Sequence, residues 1–90
     1  MRPNRERELL ESFSANVRRI RRRKGLTQEQ LAEKAGLAAR FVQRLETGKA
    51  NPSLTVFVAV AEALDASLPS LLRAAVLSKS RPGRPSRRLG

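Results

Sequence analysis

A short segment in the middle of the chain carries side chains suited to recognition by hydrogen bonding, namely Ala39, Arg40, Gln43 and Arg44. At spacings of three or four residues, these positions share one side of a helix. A guanidinium can donate two parallel hydrogen bonds and an amide can both donate and accept, which matches the edges of guanine and adenine. Val42 and Leu45 fall on the opposite side and would anchor the helix. The segment predicts a partly cationic ridge that could read a groove, with a solvated helix face as the alternative.

The residues before this ridge have the features of another short helix, joined to it by a tight turn. Thr27 stands three residues before Gln30, the spacing of a capping box at a helix start. Leu31 and Ala32 supply a buried side, and Gly36 permits the turn. Two short helices joined this tightly must cross steeply, so the first supports the second and leaves its outer side free.

Apolar spacing elsewhere predicts three more helices and therefore an all-α, five-helix bundle. Numbered along the chain, the first helix begins at about Arg5 and the fourth covers about 54–64. The helix that carries the ridge is the third and covers about 38–46. Ser67 caps the fifth, which has an apolar stripe exceeding what one face needs against the bundle. We expect this stripe to form a dimer interface through Leu68, Leu71, Leu72, Ala75 and Val76.

The order of composition along the chain predicts one domain with two flexible ends. Residues 1–8 are polar with alternating charge, and we expect them to be flexible. Residues 9–77 form the folded domain. Residues 78–90 combine five cations, two prolines and no acid, so they are expected to be a disordered basic tail.

The charge balance indicates a polyanionic partner. Nineteen Lys and Arg residues against eight Asp and Glu give a net charge of +11 on 90 residues, which favours nucleic acid as the partner, with an anionic membrane as the second candidate. The absence of Cys and His argues against metal sites, cofactors and nucleophilic catalysis, so an enzyme is not expected. With no long apolar run, we expect no membrane span and a cytoplasmic, nucleoid-associated protein.

From Val17 to about Leu72 the chain resembles the Xre/Cro type of helix-turn-helix regulators. The resemblance is carried by the motifs Gly25-Leu26-Thr27-Gln28-Glu29-Gln30-Leu31-Ala32, Ala35-Gly36-Leu37, Leu45-Glu46-Thr47-Gly48 and Asn51-Pro52-Ser53-Leu54. It implies a phage-repressor-like bundle, a homodimer, and a third helix laid in the major groove of a double-stranded DNA operator with two half-sites.

The resemblance also implies roles for individual residues. Arg40, Gln43 and Arg44 match the outward positions of the recognition helix, and Ala39 could touch a thymine methyl. Phosphate contacts are expected from the start of the second helix and from the loop after the third, at Thr27, Gln28, Lys49 and Asn51, although the loop could also be an ordinary turn. Arg21 and Glu46 match a structural ion pair.

The chain departs from the family pattern at two places. Ala38 stands where the family usually carries a Ser or Thr cap, which loses about 1 kcal/mol of capping. The tail sequence Arg81-Pro82-Gly83-Arg84-Pro85 resembles an AT-hook in which the proline and arginine before the glycine are exchanged. Minor-groove insertion or nonspecific phosphate binding would both use the tail cations, Arg81, Arg84, Arg87 and Arg88.

We therefore expect a homodimeric transcriptional regulator that binds an inverted repeat near a promoter, including its own, and acts as a repressor. Activation stays open as the alternative. An antitoxin-like or adaptor protein that also binds a protein partner is the alternative. A nonspecific coating protein is disfavoured because the three phenylalanines suit the core rather than a stacking surface for single strands.

Overall fold

The computed structural model describes residues 3–74, which form five α-helices and, over that range, no strand. The helices are α1 (Pro3–Arg23), α2 (Gln28–Ala35), α3 (Ala39–Glu46), α4 (Leu54–Leu64) and α5 (Leu68–Leu72). The prediction of an all-α, five-helix bundle is confirmed. None of the helices within residues 3–74 has the length and hydropathy needed to cross a lipid bilayer.

Helix α1 begins at Pro3, two residues before the start predicted at about Arg5. Proline is well tolerated in the first turn of a helix, and the Arg and Glu residues that follow have high helix propensity. Residues 5–9 are exposed, so local preference rather than core burial favours the helix there. The result is a helix of 21 residues.

The core joins all five helices. Its buried apolar side chains are Phe13, Val17, Ile20, Leu31, Ala32, Val42, Leu45, Ala50, Val60, Ala61, Leu64 and Leu71. The rings of Phe13 in α1 and Phe57 in α4 meet edge to face with centroids 5.2 Å apart. Helix α3 packs against both α1 and α2, which fixes its direction relative to the bundle.

Helix α4 ends at Leu64, and its C-cap residue Asp65 takes the left-handed conformation at a φ of 55°. The sequence marks this end with no glycine, but Asp is one of the few other residues that visit this region readily. The Asp65 amide donates to the carbonyls of Ala61 and Glu62. The chain then turns, and the Ser67 hydroxyl accepts a hydrogen bond from the Ser70 amide at the start of α5.

Helix α5 is shorter than the predicted apolar stripe. It ends at Leu72, and Arg73 is extended. The side-chain amide of Asn16, itself buried, donates to the carbonyls of Leu71 and Arg73 at 2.9 Å each, which supplies partners for the helix end. Ala75, Val76 and the tail cations lie outside the described residues.

Candidate nucleic-acid interface

Helix α3 has one fully buried side and one exposed polar side. Val42 and Leu45 have no exposed surface, whereas Arg40, Gln43 and Arg44 are exposed. The three exposed residues are called the recognition face below. Because the buried pair holds the helix against the core, the recognition face is presented to solvent in a fixed orientation.

Helix α3 begins with a half-buried residue, Ala39, and has no side-chain cap. Ala39 is half-buried and packs in part against the core, so its methyl group is the least accessible of the predicted base contacts. Ala38 occupies the N-cap position with an extended backbone, and its side chain makes no capping hydrogen bond. Helix α3 therefore begins without the side-chain acceptor that the family usually provides there.

The C-terminal end of α3 is tied to α1 and α2 through one carboxylate. Arg21 donates to both carboxylate oxygens of Glu46, one of them at 3.0 Å, and Arg21 also donates to the Leu26 carbonyl at 2.7 Å. Gln28, the first residue of α2, donates from its side-chain amide to Glu46 Oε1 at 3.0 Å. All three side chains are buried or half-buried. This network sets the position of α3 relative to both preceding helices.

The residues predicted to bind phosphate at the start of α2 are already engaged within the protein. The Thr27 hydroxyl accepts from the Gln30 amide at 2.9 Å, and Gln30 Oε1 accepts from the Thr27 amide at 2.8 Å, which completes the capping box. Gln28 is engaged too, through its bond to Glu46. Thr27 and Gln28 nevertheless each retain one donor, which is the O–H of Thr27 and the second N–H of the Gln28 side-chain amide. A phosphate contact there would add to the internal bonds without breaking them.

The loop after α3 is bound to the recognition face. Arg44 Nη2 donates to the Lys49 carbonyl at 3.0 Å, and the Lys49 amide donates to the Arg44 carbonyl at 2.9 Å. Gly48 takes a φ of 75°, which lets the chain turn sharply enough for this double contact. Lys49 and Asn51 are exposed, so both remain free to meet a ligand beside Arg44.

The charge of this surface is not neutralised within the protein. Over residues 3–74 the Arg21 and Glu46 contact is the single ion pair, so the exposed cations Arg40, Arg44 and Lys49 have no acidic partner. Uncompensated cations on one surface attract a polyanion. The predicted tail contacts at 81–88 fall outside the described residues.

Asn16 is a structural residue that sequence reasoning missed. Its position beside Val17 on the first helix places a polar residue next to the apolar face, which is the only signal the sequence offers. The structure shows it buried, with Arg19 donating to its Oδ1 at 3.2 Å.

A capped helix, a left-handed turn at Gly36 and a second helix with an exposed cationic face together define a helix-turn-helix DNA-binding domain. The family model of helix-turn-helix proteins matches residues 17–71, and the chain belongs to this HTH_3 family. The predicted Xre/Cro resemblance is thereby confirmed. The protein is a transcriptional regulator of the helix-turn-helix type, and its family and relatives are DNA-binding regulators rather than enzymes.

Named relatives include regulators from bacteria and a phage. The control protein C.SmaI of Serratia marcescens is 37% identical over 65 residues, covering 72% of this chain and 77% of that protein. The immunity repressor protein of Bacillus phage phi105 is 38% identical over 63 residues, covering 70% of this chain and 44% of the repressor. Among solved structures, the restriction-modification controller protein C.AhdI from Aeromonas hydrophila has a sequence 39% identical to this chain. Its crystal structure superposes with a TM-score of 0.67, and the match covers 69% of this chain and 94% of the C.AhdI chain.

Proposed function

We propose that this regulator binds an inverted-repeat operator as a homodimer and represses transcription, including that of its own gene. The observation that carries the proposal is the recognition face, whose amide and guanidinium groups are exposed while Val42 and Leu45 on the same helix are completely buried. A helix held in this way fits the major groove with its donors toward the base edges. Repression follows when the occupied operator blocks polymerase at the promoter.

Base reading is assigned to the three residues of the recognition face. Arg40 and Arg44 suit the O6 and N7 acceptors of guanine, and Gln43 suits the N6 and N7 groups of adenine. Ala39 contributes at most a methyl contact, because it is half-buried. Each matched pair is worth about 1–3 kcal/mol of discrimination between bases.

Phosphate contacts on both sides of α3 would set its register along the DNA. On one side are the spare donors of Thr27 and Gln28 at the start of α2, where the helix dipole also favours an anion. On the other side are Lys49 and Asn51 in the loop that Arg44 binds. Phosphate contacts position a protein but carry no sequence information themselves.

Dimerisation is assigned to α5, with one change from the sequence prediction. Leu68 and Leu72, one helical turn apart, are each 38% exposed and offer an apolar surface to a second copy. Leu71 has no exposed surface, because it packs into the protomer's own core, and it is therefore removed from the predicted interface. Ala75 and Val76 lie outside the described residues, and they remain part of the proposed interface as the sequence predicted.

Selection of bound duplexes from a random pool tests the operator proposal. We expect an enriched sequence with two related half-sites in inverted orientation, because a two-fold dimer presents two equivalent α3 helices. Enrichment of a single unrepeated site would argue against the homodimer, and no enrichment at all would argue against base reading.

A matched pair of variants then assigns the base contacts. Arg40→Ala should lower affinity for the selected duplex more than for scrambled DNA, since it removes a base contact. Lys34→Ala removes an exposed cation of α2 that is not part of the recognition face, and it should affect both duplexes little and equally. Sedimentation at micromolar concentration should show a complex that contains two 10.0 kDa chains for each operator duplex.

A further inference from the structure

Five residues on the outer side of α1 have a spacing that is the same read from either end of the helix. They are called the α1 stripe below and consist of Glu8, Glu11, Ala15, Arg19 and Arg22. Successive members are three, four, four and three residues apart. Because an α-helix turns by about 100° per residue, all five fall within an arc of about 80°. The four charged residues are exposed, and Ala15 at the centre is half-buried.

The two acidic residues of the α1 stripe are unpaired within the described chain. Over residues 3–74 the contact between Arg21 and Glu46 is the single ion pair. Arg5 and Arg7 lie one helical turn before the two glutamates of the stripe but form no ion pair with them. No Lys or Arg stands three or four residues after either glutamate, which is where a cation would pair best within one helix. Both carboxylates are therefore open to a cation from another molecule.

The helix macrodipole explains only part of this charge pattern. It favours acids in the first turn and bases in the last turn, where α1 has Glu6 and the arginines at 21–23. Glu8, Glu11 and Arg19 lie further inside the helix than those turns. Arg19 donates one hydrogen bond to Asn16 Oδ1 at 3.2 Å, and its guanidinium has further N–H donors. The inner charges of the stripe are thus left for a partner that complements them.

We propose that the α1 stripe pairs in antiparallel orientation with the α1 stripe of a second copy of this chain. When the two Ala15 residues meet at a two-fold axis, Glu8 of each copy faces Arg22 of the other. Glu11 of each copy then faces Arg19 of the other. All four charged contacts join opposite signs, whereas a parallel arrangement would set each glutamate against itself. The same patch is used by both copies, as in any two-fold interface.

The dimensions of the stripe suit such a contact. At 1.5 Å per residue, Glu8 and Arg22 are about 21 Å apart along the helix, so the paired charges lie on both sides of the centre. Ala15 has the smallest side chain of the stripe and stands at the crossing point. Small residues there let two helices approach closely enough for the long Glu and Arg side chains to meet.

The contact is expected to be weak between free chains. Exposed ion pairs each contribute little, and two chains of net charge +11 repel one another at long range. DNA would neutralise part of that charge and hold bound copies close together. The α1 stripe shares no residue with the proposed α5 interface, so it would join dimers on neighbouring operators. This linking role rests on the proposed function, whereas the pairing of the stripes does not.

Disulfide trapping at Ala15 tests the pairing without DNA. The chain has no cysteine, so a single introduced thiol can form a protein disulfide only between two copies. Ala15→Cys should give disulfide-linked dimers about tenfold or more faster than Thr55→Cys in oxidised glutathione. Thr55 is an exposed neutral residue of α4, and it is more exposed than Ala15. Equal rates at the two positions would overturn the proposal.

Two double variants with unchanged net charge test the register. Glu8→Arg with Arg22→Glu exchanges two residues that face one another, so all four contacts still join opposite charges. Glu11→Arg with Arg22→Glu puts like charges at all four contacts. Combined with Ala15→Cys, the first should crosslink at the parent rate and the second about tenfold more slowly. Equal rates would overturn the proposed pairing. Arg19 is unchanged in both variants, so its bond to Asn16 is kept.

Salt provides an independent check on the role of charge. At 1 M salt the screening length falls to about 3 Å, so crosslinking through Ala15→Cys should slow toward the Thr55→Cys rate. The Thr55→Cys rate should not fall, because salt also screens the long-range repulsion between the two chains. A Ala15→Cys rate that salt leaves unchanged would show that the stripe charges do not pair.

A duplex that carries two operators tests the linking role. Both double variants should bind a single operator as the parent does, because neither changes the recognition face or the net charge. The parent and Glu8→Arg with Arg22→Glu should bind the two operators cooperatively, and Glu11→Arg with Arg22→Glu should not. The same cooperativity in both variants would overturn the linking role. Failure of the parent to bind a single operator would count against the operator proposal instead.

Discussion

The Arg21 guanidinium donates to both carboxylate oxygens of Glu46, although the two residues are 25 positions apart in the chain. This contact joins the end of α1 to the last turn of α3, and Gln28 joins the start of α2 to the same carboxylate. The orientation of the recognition face therefore depends on one buried acidic side chain that itself cannot contact phosphate favourably.

Arg21→Ala should lower the free energy of unfolding by about 3–5 kcal/mol, because it leaves the buried Glu46 carboxylate without its cation. Urea denaturation measures the change. Arg22→Ala is the control, since that neighbouring arginine is exposed and should change stability by no more than about 0.5 kcal/mol. The double variant Arg21→Met with Glu46→Leu should lose less than the two single changes together. Equal effects of Arg21→Ala and Arg22→Ala would show that the pair is not structural.

Ala38→Ser should raise the free energy of unfolding by about 1 kcal/mol, because the N-cap of α3 has the right extended backbone but no side-chain acceptor. Thermal melting would register this as a rise of about 4–8 °C. Ala38→Val supplies no acceptor and should give no such rise. A gain with both variants would mean that capping is not its cause.

Asn16→Ala should lower the free energy of unfolding by about 2–3 kcal/mol, because two carbonyls near the end of α5 lose their donor. Arg19→Ala removes only the bond to Asn16 Oδ1 and should cost much less. Amide hydrogen exchange should show α5 opening before the rest of the bundle in the Asn16 variant. Uniform loss of protection across all helices would contradict a local role in holding α5.

Arg44→Ala should weaken operator binding by about 1–3 kcal/mol and relax the preference at one base pair. Its bond to the Lys49 carbonyl is exposed, so the fold should lose little stability. Binding to the operator and to its single-base variants can be followed by fluorescence anisotropy, with Arg23→Ala as an exposed cation outside the recognition face. Equal weakening on every duplex would assign Arg44 to phosphate instead.

Removal of residues 79–90 should weaken binding to all duplexes alike, because it takes away five cations and none of the recognition face. The salt slope of the logarithm of the binding constant should flatten by about one for each tail cation that contacts a phosphate. A titration series from low to high salt measures both effects. Loss of sequence preference on truncation would show instead that the tail reads bases.

Local signals explain why so much of the fold could be predicted. Thr27 and Gln30 cap one another over three residues, and Gly36 takes the left-handed turn that its lack of a side chain allows. The start of α1 was predicted two residues too late, because its first residues are helical by local preference and have no apolar face.

The sequence by itself determined the five helices, the turn and the side of α3 that carries the cations, because each depends on residues within a few positions of one another. Only the tertiary structure decided that Leu71 belongs to the core, and that Asn16 binds carbonyls 55 and 57 residues away. It also decided that Gln28 binds Glu46, 18 residues further on. A buried polar side chain forms such a hydrogen bond only when the helices pack together, so the spacing of residues along the chain does not predict it.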